Sequence, residues 1–229
     1  MVEILNFEDS HYYPPKMGGL KKLVRFPDGE VKRNTIPNST IWIFDPHKHE
    51  YKPEIFGNDV GCGMAAFLIK EVDAKESADR ICDYLKNKNI LGRGNHFVDI
   101  CEPIDSYKEN NDTSYNVLLV HSDGKSFDNT VPKNIKEAKS KQANAEKFRE
   151  DLGYKLTNLI DSSGEILCNL AHNTIEENDE ILYRKGVVKT KPKKIHFLPA
   201  HLGSKVWFYT VDDKNMPPYS SMPHATGRS

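Results

Sequence analysis

The chain has 229 residues, 38% of them hydrophobic and 28% charged, with a formal net charge of −1. This is the composition of an ordinary globular protein with a real core, and its near-neutral balance excludes a global basic field, so any contact with RNA or DNA has to rest on a local patch. No apolar run approaches the ~20 residues that span a bilayer, and the N-terminus "MVEILNFEDSHYY" has no basic region leading into an apolar stretch, so neither a membrane span nor a secretory signal is expected.

Short strands are predicted first. "KLVRFPDGEVKR" holds two extended runs around the turn signal Pro27-Asp28-Gly29. "TIWIFD" and "AAFLIKEV" follow as strands. In "DAKESADRICDYLKNKN", Ala74, Ala78, Ile81, Cys82 and Leu85 recur at helical spacing, which predicts a helix with Cys82 in its core-facing stripe. "HFVDIC" and "NVLLVHS" read as buried strands. "KNIKEAKSKQANAEKFREDLGYKLTNLI" is the strongest helix. Its stripe runs through Ile135, Ala138, Gln142, Ala145, Phe148, Leu152, Leu156 and Leu159, and its Lys- and Glu-rich remainder reads as a solvated face. "EILCNLAHN", "EILYRKGVV", "KKIHFLPAH" and "KVWFYTV" return to strands. With no repeat, no low-complexity linker and no strict βαβ alternation, the fold class is α+β.

The four cysteines, Cys62, Cys82, Cys101 and Cys168, form no CxxC pair. Free thiols are therefore expected rather than disulfides, and the chain reads as cytoplasmic.

Several strands end on side chains of the metal-ligand type. "LGRGNHF" sets Asn95 and His96 between two glycines and a strand. "VLLVHSDG" ends an apolar run at His121, and "ILCNLAHN" ends another at His172-Asn173. Asp59 and Cys62, in "FGNDVGCGMAAF", stand just before a fourth run. Strand ends and Gly-rich turns are where a scaffold aims side chains into a shared cleft. Imidazole, thiolate and carboxylate together suit first-row divalent ions such as Mn, Fe, Co or Zn. A thiolate can bridge two such ions, and coordination keeps it deprotonated. Taken singly, each histidine also reads as a satisfied core or turn residue, since no compact ligand spacing such as HExxH ties them together. Gly61 and Gly63 would let the backbone turn tightly around Cys62.

The pieces "NDVGCGM", "GRGNHFVDI", "VLLVHSDG", "LAHNTIEE", "YRKGVV", "FLPAHLGS" and "PHATGRS" occur in this order. Together they resemble the RtcB family of GTP- and manganese-dependent RNA ligases, over roughly Asp45 to the C-terminus. The resemblance implies a single RtcB-like catalytic domain over residues 1–229, with residues 1–44 an abbreviated N-terminal part that carries no specific likeness. It implies an α+β architecture in which β-sheets form a central cleft flanked by a few helices. The implied activity joins RNA ends bearing a 3′-phosphate or 2′,3′-cyclic phosphate to 5′-hydroxyl ends through a guanylylated histidine, using GTP and two Mn ions. RNA with those ends and GTP are the implied partners, with no membrane.

Carried onto this chain, the resemblance makes Asp59, Cys62 and His96 ligands of one ion. Cys62, His121 and His172 would hold the second, with Cys62 as the bridge. His224 matches the histidine that becomes guanylylated. Asn95, Asp99, Asn173, the loop Pro199, Ala200, His201, Gly203 and Ser204, and Arg228 would contact the nucleotide. Arg184, Lys185 and the run Lys189, Lys191, Lys193, Lys194 offer a basic patch for an RNA backbone, or equally a solvated loop. The chain is short for the family and departs from it in places. "HSDGKSFDN" replaces a Ser/Gly/Arg-rich turn, Asp99 replaces a glutamate, Ala200 and His201 replace a glycine and a serine, and Ala225 replaces the glycine after the nucleophile. Only five residues follow His224, which leads to the expectation that it is mobile. A metal-dependent phosphoesterase, or a non-catalytic RNA-end or nucleotide-binding module, would keep the same metal centre without ligation.

Overall fold

The computed structural model describes residues 2–7, 12–27, 36–86, 88, 90–92, 96–103, 115–199 and 204–224. Along the chain, β1 (Glu3–Asn6), β2 (Leu20–Arg25) and β3 (Thr40–Phe44) lead to a short helix α1 (Pro53–Phe56). Next come β4 (Gly63–Lys70), α2 (Ala74–Leu85), β5 (Val98–Cys101), β6 (Tyr115–Ser122) and the long helix α3 (Ile135–Leu159). β7 (Gly164–Ala171), β8 (Asn173–Glu177), β9 (Ile181–Lys185), β10 (Val187–Lys189), β11 (His196–Pro199), β12 (Val206–Tyr209) and β13 (Ser221–Pro223) complete the order. The class is α+β. Among the described residues, no helix is long and apolar enough to cross a membrane.

Two sheets carry the fold. The first has the order β1-β2-β3-β9-β8, with β1 parallel to β2 and the other pairs antiparallel. The second, β5-β6-β4-β7, is antiparallel throughout. Two small ribbons, β10-β13 and β11-β12, accompany them.

The second sheet is buried on both faces, which is why β4 and β6 are nearly continuous apolar runs rather than alternating ones. Ala65, Phe67, Ile69, Leu118 and Val120 face α2 and α3, packing against Ile81, Leu152 and Leu156. Met64, Ala66 and Leu119 face the other way, against Phe197 of β11. In the first sheet, Leu23, Trp42, Phe44 and Tyr183 pack against Ile55, Phe56, Val60 and Ala138. α3 starts where its sequence directs: the Asn134 side chain accepts from Glu137 N, and Glu137 reaches back to Lys133 N.

Four expectations are corrected. Cys82 is exposed, because α2 turns Ser77 and Ile81 inward and leaves Ala78 and Cys82 along an open crevice against β5. β5 is half-buried at every residue, since it forms an edge of the sheet. Lys141 and Arg149, assigned to a solvated face, are buried at 4% and 0% exposure. Arg184 and Lys185 are not a surface patch for RNA. Arg184 is buried on a Glu176 carboxylate oxygen, and the Lys185 ammonium donates to Ile55 O. Lys191, Lys193 and Lys194 are exposed. The second run of "KLVRFPDGEVKR" lies outside the described residues.

Candidate metal centre

The Cys62 turn is built by close backbone packing. Gly61 has φ +85, a left-handed conformation that suits glycine. A Cβ on Gly63 would lie 2.6 Å from Ala171 Cα and 2.6 Å from Leu170 O, so β7 can approach only because no side chain is there. The turn is then stitched to the β7–β8 junction. Cys62 O accepts from His172 N at 2.8 Å and from Asn173 N at 3.3 Å, and Gly61 N donates to Asn173 O at 2.8 Å. On the other side, Met64 is in register with His121. His121 and Phe97 exchange backbone hydrogen bonds at 2.8 and 3.3 Å, which brings His96 to the same end of the sheet.

These contacts set three imidazoles around one sulfur. Cys62 Sγ lies 3.1 Å from His172 Nε2, 3.4 Å from His96 Nε2 and 3.7 Å from His121 Nε2. The ligand atoms of Cys62, His96 and His121 all lie within 4.8 Å of one another. With metal–sulfur and metal–nitrogen bonds of about 2.3 and 2.0 Å, two ligands at a tetrahedral angle on one ion stand about 3.5 Å apart. The observed separations match that spacing, so the donor set fits a first-row divalent ion. Asp59 stands beside the cluster. Its Oδ1 accepts from Gly124 N and its Oδ2 from Asn173 Nδ2, each at 3.1 Å. Asn173 Oδ1 in turn accepts from Gly186 N at 3.0 Å.

The electrostatics also suit a cation. Burial, and then the Asp59 carboxylate, push the Cys62 thiol well above its usual range, so this sulfur becomes a thiolate only with a positive charge beside it. Burial, and then the neighbouring His224 and His121, push His172 well below its usual range, which keeps its ring neutral and able to donate a lone pair. Burial raises the Asp59 carboxyl.

His224 joins the cluster from the C-terminal segment. Pairing of β13 with β10 leads the chain to it, and His224 N donates to Gly186 O at 3.1 Å. Its ring centroid is 4.3 Å from that of His172, and the residue is 6% exposed. The sequence suggested a loose end here; the structure anchors it on β10.

The other expected residues fall in different places. Asp99, half-buried on β5, lines the crevice against α2, whose lining includes none of Cys62, His96, His121 or His172. Pro199 ends β11, and Ser204 is exposed before β12. Asn95, Ala200, His201, Gly203 and Arg228 lie outside the described residues.

Two residues were not anticipated. Arg149 sits behind the Cys62 turn, donating to Asn169 Oδ1 at 2.8 Å, Gly61 O at 3.1 Å and Ser122 Oγ at 3.3 Å. Its signal was present: Ala138, Gln142, Ala145, Arg149, Leu152 and Leu156 follow alternating spacings of four and three, a helix face that includes the arginine. Asp123, immediately after His121-Ser122, is 1% exposed. Its signal was an acidic residue placed directly after an apolar strand that ends on a ligand-type histidine.

A search against protein-family models gives no match to the chain, and comparison with curated proteins gives none either.

Proposed function

We propose that the protein is an RtcB-like RNA ligase, joining RNA 3′-phosphate or 2′,3′-cyclic phosphate ends to 5′-hydroxyl ends with GTP and two Mn ions. The observation that carries this reading is the His224 ring, 4.3 Å from that of His172, whose Nε2 is itself 3.1 Å from Cys62 Sγ. A nucleophilic imidazole beside a thiol–imidazole cluster that could hold a metal suits transfer of a nucleotide to histidine. Asp59, Cys62, His96, His121 and His172 would hold the ions, Cys62 supplying a thiolate, Asp59 a carboxylate and the histidines neutral imidazoles. Bound ions would neutralise charge on the triphosphate and on the transferred group.

His224 then acts through its own lone pair. It attacks the α-phosphorus of GTP, forming a P–N bond and releasing pyrophosphate. The RNA 3′-phosphate takes the guanylate, which restores the imidazole; a cyclic end is first opened by water to the 3′-phosphate. The 5′-hydroxyl attacks the activated phosphorus, forming the phosphodiester and releasing GMP. Such transfers depend mainly on positioning and charge, and β10, Gly186 and His172 supply the positioning of His224. The exposed Lys191, Lys193 and Lys194 offer contacts for the RNA backbone.

The test is incubation of metal-loaded protein with GTP labelled on its α-phosphorus. An acid-labile protein adduct is expected, absent from His224→Ala. A metal-loaded wild type that forms no adduct sinks the ligase reading. If it nevertheless opens a 2′,3′-cyclic phosphate without joining ends, the protein is a phosphoesterase.

A further inference from the structure

We propose that Asp123 is the positioning residue for His96: its carboxylate accepts the His96 Nδ1–H and so presents Nε2 to the ion beside Cys62. This rests on the metal centre of the proposed function. The Asp123 side chain is 0% exposed. Its backbone N–H donates to Leu91 O at 2.8 Å, which pins it against residues 91–92, and its Oδ1 accepts from Ser126 N at 2.7 Å. Oδ2 is enclosed and, among the described residues, has no hydrogen-bond partner. The ammonium of Lys125, itself 42% exposed, stands 4.0 Å away. A buried carboxylate oxygen without a donor is costly, so it calls for a partner within reach.

Gly92 identifies that partner. A Cβ there would lie 2.2 Å from Asp123 Oδ2, 2.5 Å from Asp123 Cγ and 2.8 Å from His96 Nδ1. The carboxylate oxygen and the imidazole nitrogen therefore border the same point, and a side chain at position 92 would collide with both. The opposite nitrogen of the same ring, Nε2, is the one 3.4 Å from Cys62 Sγ. One imidazole thus has Nε2 toward the ligand cluster and Nδ1 toward a carboxylate. Metal-binding histidines are held this way, with the outer carboxylate fixing the tautomer and the ring orientation. With an ion on Nε2 the proton has to reside on Nδ1, the nitrogen that borders Asp123 Oδ2 across Gly92.

The experiment compares Co²⁺ and Mn²⁺ titrations of wild type, Asp123→Ala and Cys62→Ala, with apo-protein melting alongside. Asp123→Ala is expected to weaken the ion by about 10–100-fold, while apo stability falls by no more than the loss of the Ser126 N hydrogen bond, offset by removal of the buried Oδ2. Wild-type affinity in Asp123→Ala overturns the inference and leaves the metal centre standing. An equal loss of apo stability and affinity also overturns it, assigning Asp123 a purely structural role. A wild type that binds neither ion overturns the metal centre itself. If Asp123→Ala does not fold, nitrogen–proton correlation spectra of the Zn²⁺-loaded wild type decide: a hydrogen-bonded proton on His96 Nδ1 is expected, and a proton on Nε2 refutes the proposal.

Discussion

At Cys62 a single sulfur faces three imidazole nitrogens from three different strand ends, at 3.1, 3.4 and 3.7 Å. Burial, and then the Asp59 carboxylate, disfavour the thiolate there, so a bound cation would supply the charge balance that the proposed centre needs. Cys62→Ala therefore removes the shared ligand, and elemental analysis of the purified variant should show metal lost relative to wild type. Unchanged metal content would mean that any ion sits elsewhere. The turn that presents this sulfur is equally sensitive to shape. In Gly63→Ala the new methyl meets Ala171 Cα and Leu170 O, both at 2.6 Å, and these are backbone atoms of β7, held in register against β4, which cannot step aside as a flexible side chain could. Overpacking of this kind costs about 1–3 kcal/mol, read as a lowered urea midpoint with an unchanged slope. A midpoint equal to that of wild type would show that β4 and β7 separate freely here.

At the scale of elements, a chain of polar contacts fastens the segment that carries His224. Glu176 of β8 accepts from Arg184 of β9 and Lys189 of β10, and Arg184 also donates to Ser221 Oγ of β13 at 2.9 Å. Burial pushes the Glu176 carboxyl up, but the hydrogen bonds from Lys189 and Arg184 outweigh it and hold the group down at about 2, against an ordinary 4.5. Because the folded value is the lower one, the stabilisation is fully present above pH 4.5 and fades as pH falls toward 2. Glu176→Gln should thus be less stable than wild type at pH 7 by urea denaturation, with the gap narrowing at pH 3; a gap that stays constant would exclude this network as its source. Buried charges such as these are what the sequence conceals. Apolar strands and the α3 stripe are legible because burial selects hydrophobic side chains with a fixed period. Lys141 and Arg149 break that rule because carbonyl groups await them: Lys141 donates to Asn58 O, Asp128 O and Thr130 O, partners that exist only once the loops have folded. β5 misleads for a similar reason, since its apolar composition does not record that it lies at an edge.

At the scale of the molecule, the candidate site lies on the seam between the two sheets. β7 of the second sheet runs through His172 directly into β8 of the first, and Val187 N donates to His172 O at 3.0 Å. The residue types at the strand ends were legible beforehand. Their meeting depends on the register of Met64 with His121 and on Cys62 O accepting from His172 N, pairings between segments far apart in the chain. Ions held as proposed by Asp59, Cys62, His96, His121 and His172 would tie β4, β5, β6 and the β7–β8 junction together, and their binding energy would add to the stability of both sheets at once. At a free Mn²⁺ concentration 100 times the dissociation constant, that contribution is about 2.7 kcal/mol. For a chain of this size the melting temperature rises by about 2–4 °C per kcal/mol, so calorimetry should record an increase on the order of 5–10 °C over the EDTA-treated protein. Hydrogen exchange should slow on both sides of the seam, at residues 61–63 and 119–122 of the second sheet and 172–175 of the first. Stabilisation confined to one sheet would place the ion away from the seam. An increase that persists in Cys62→Ala would place it on other ligands, because no other described cysteine joins this cluster.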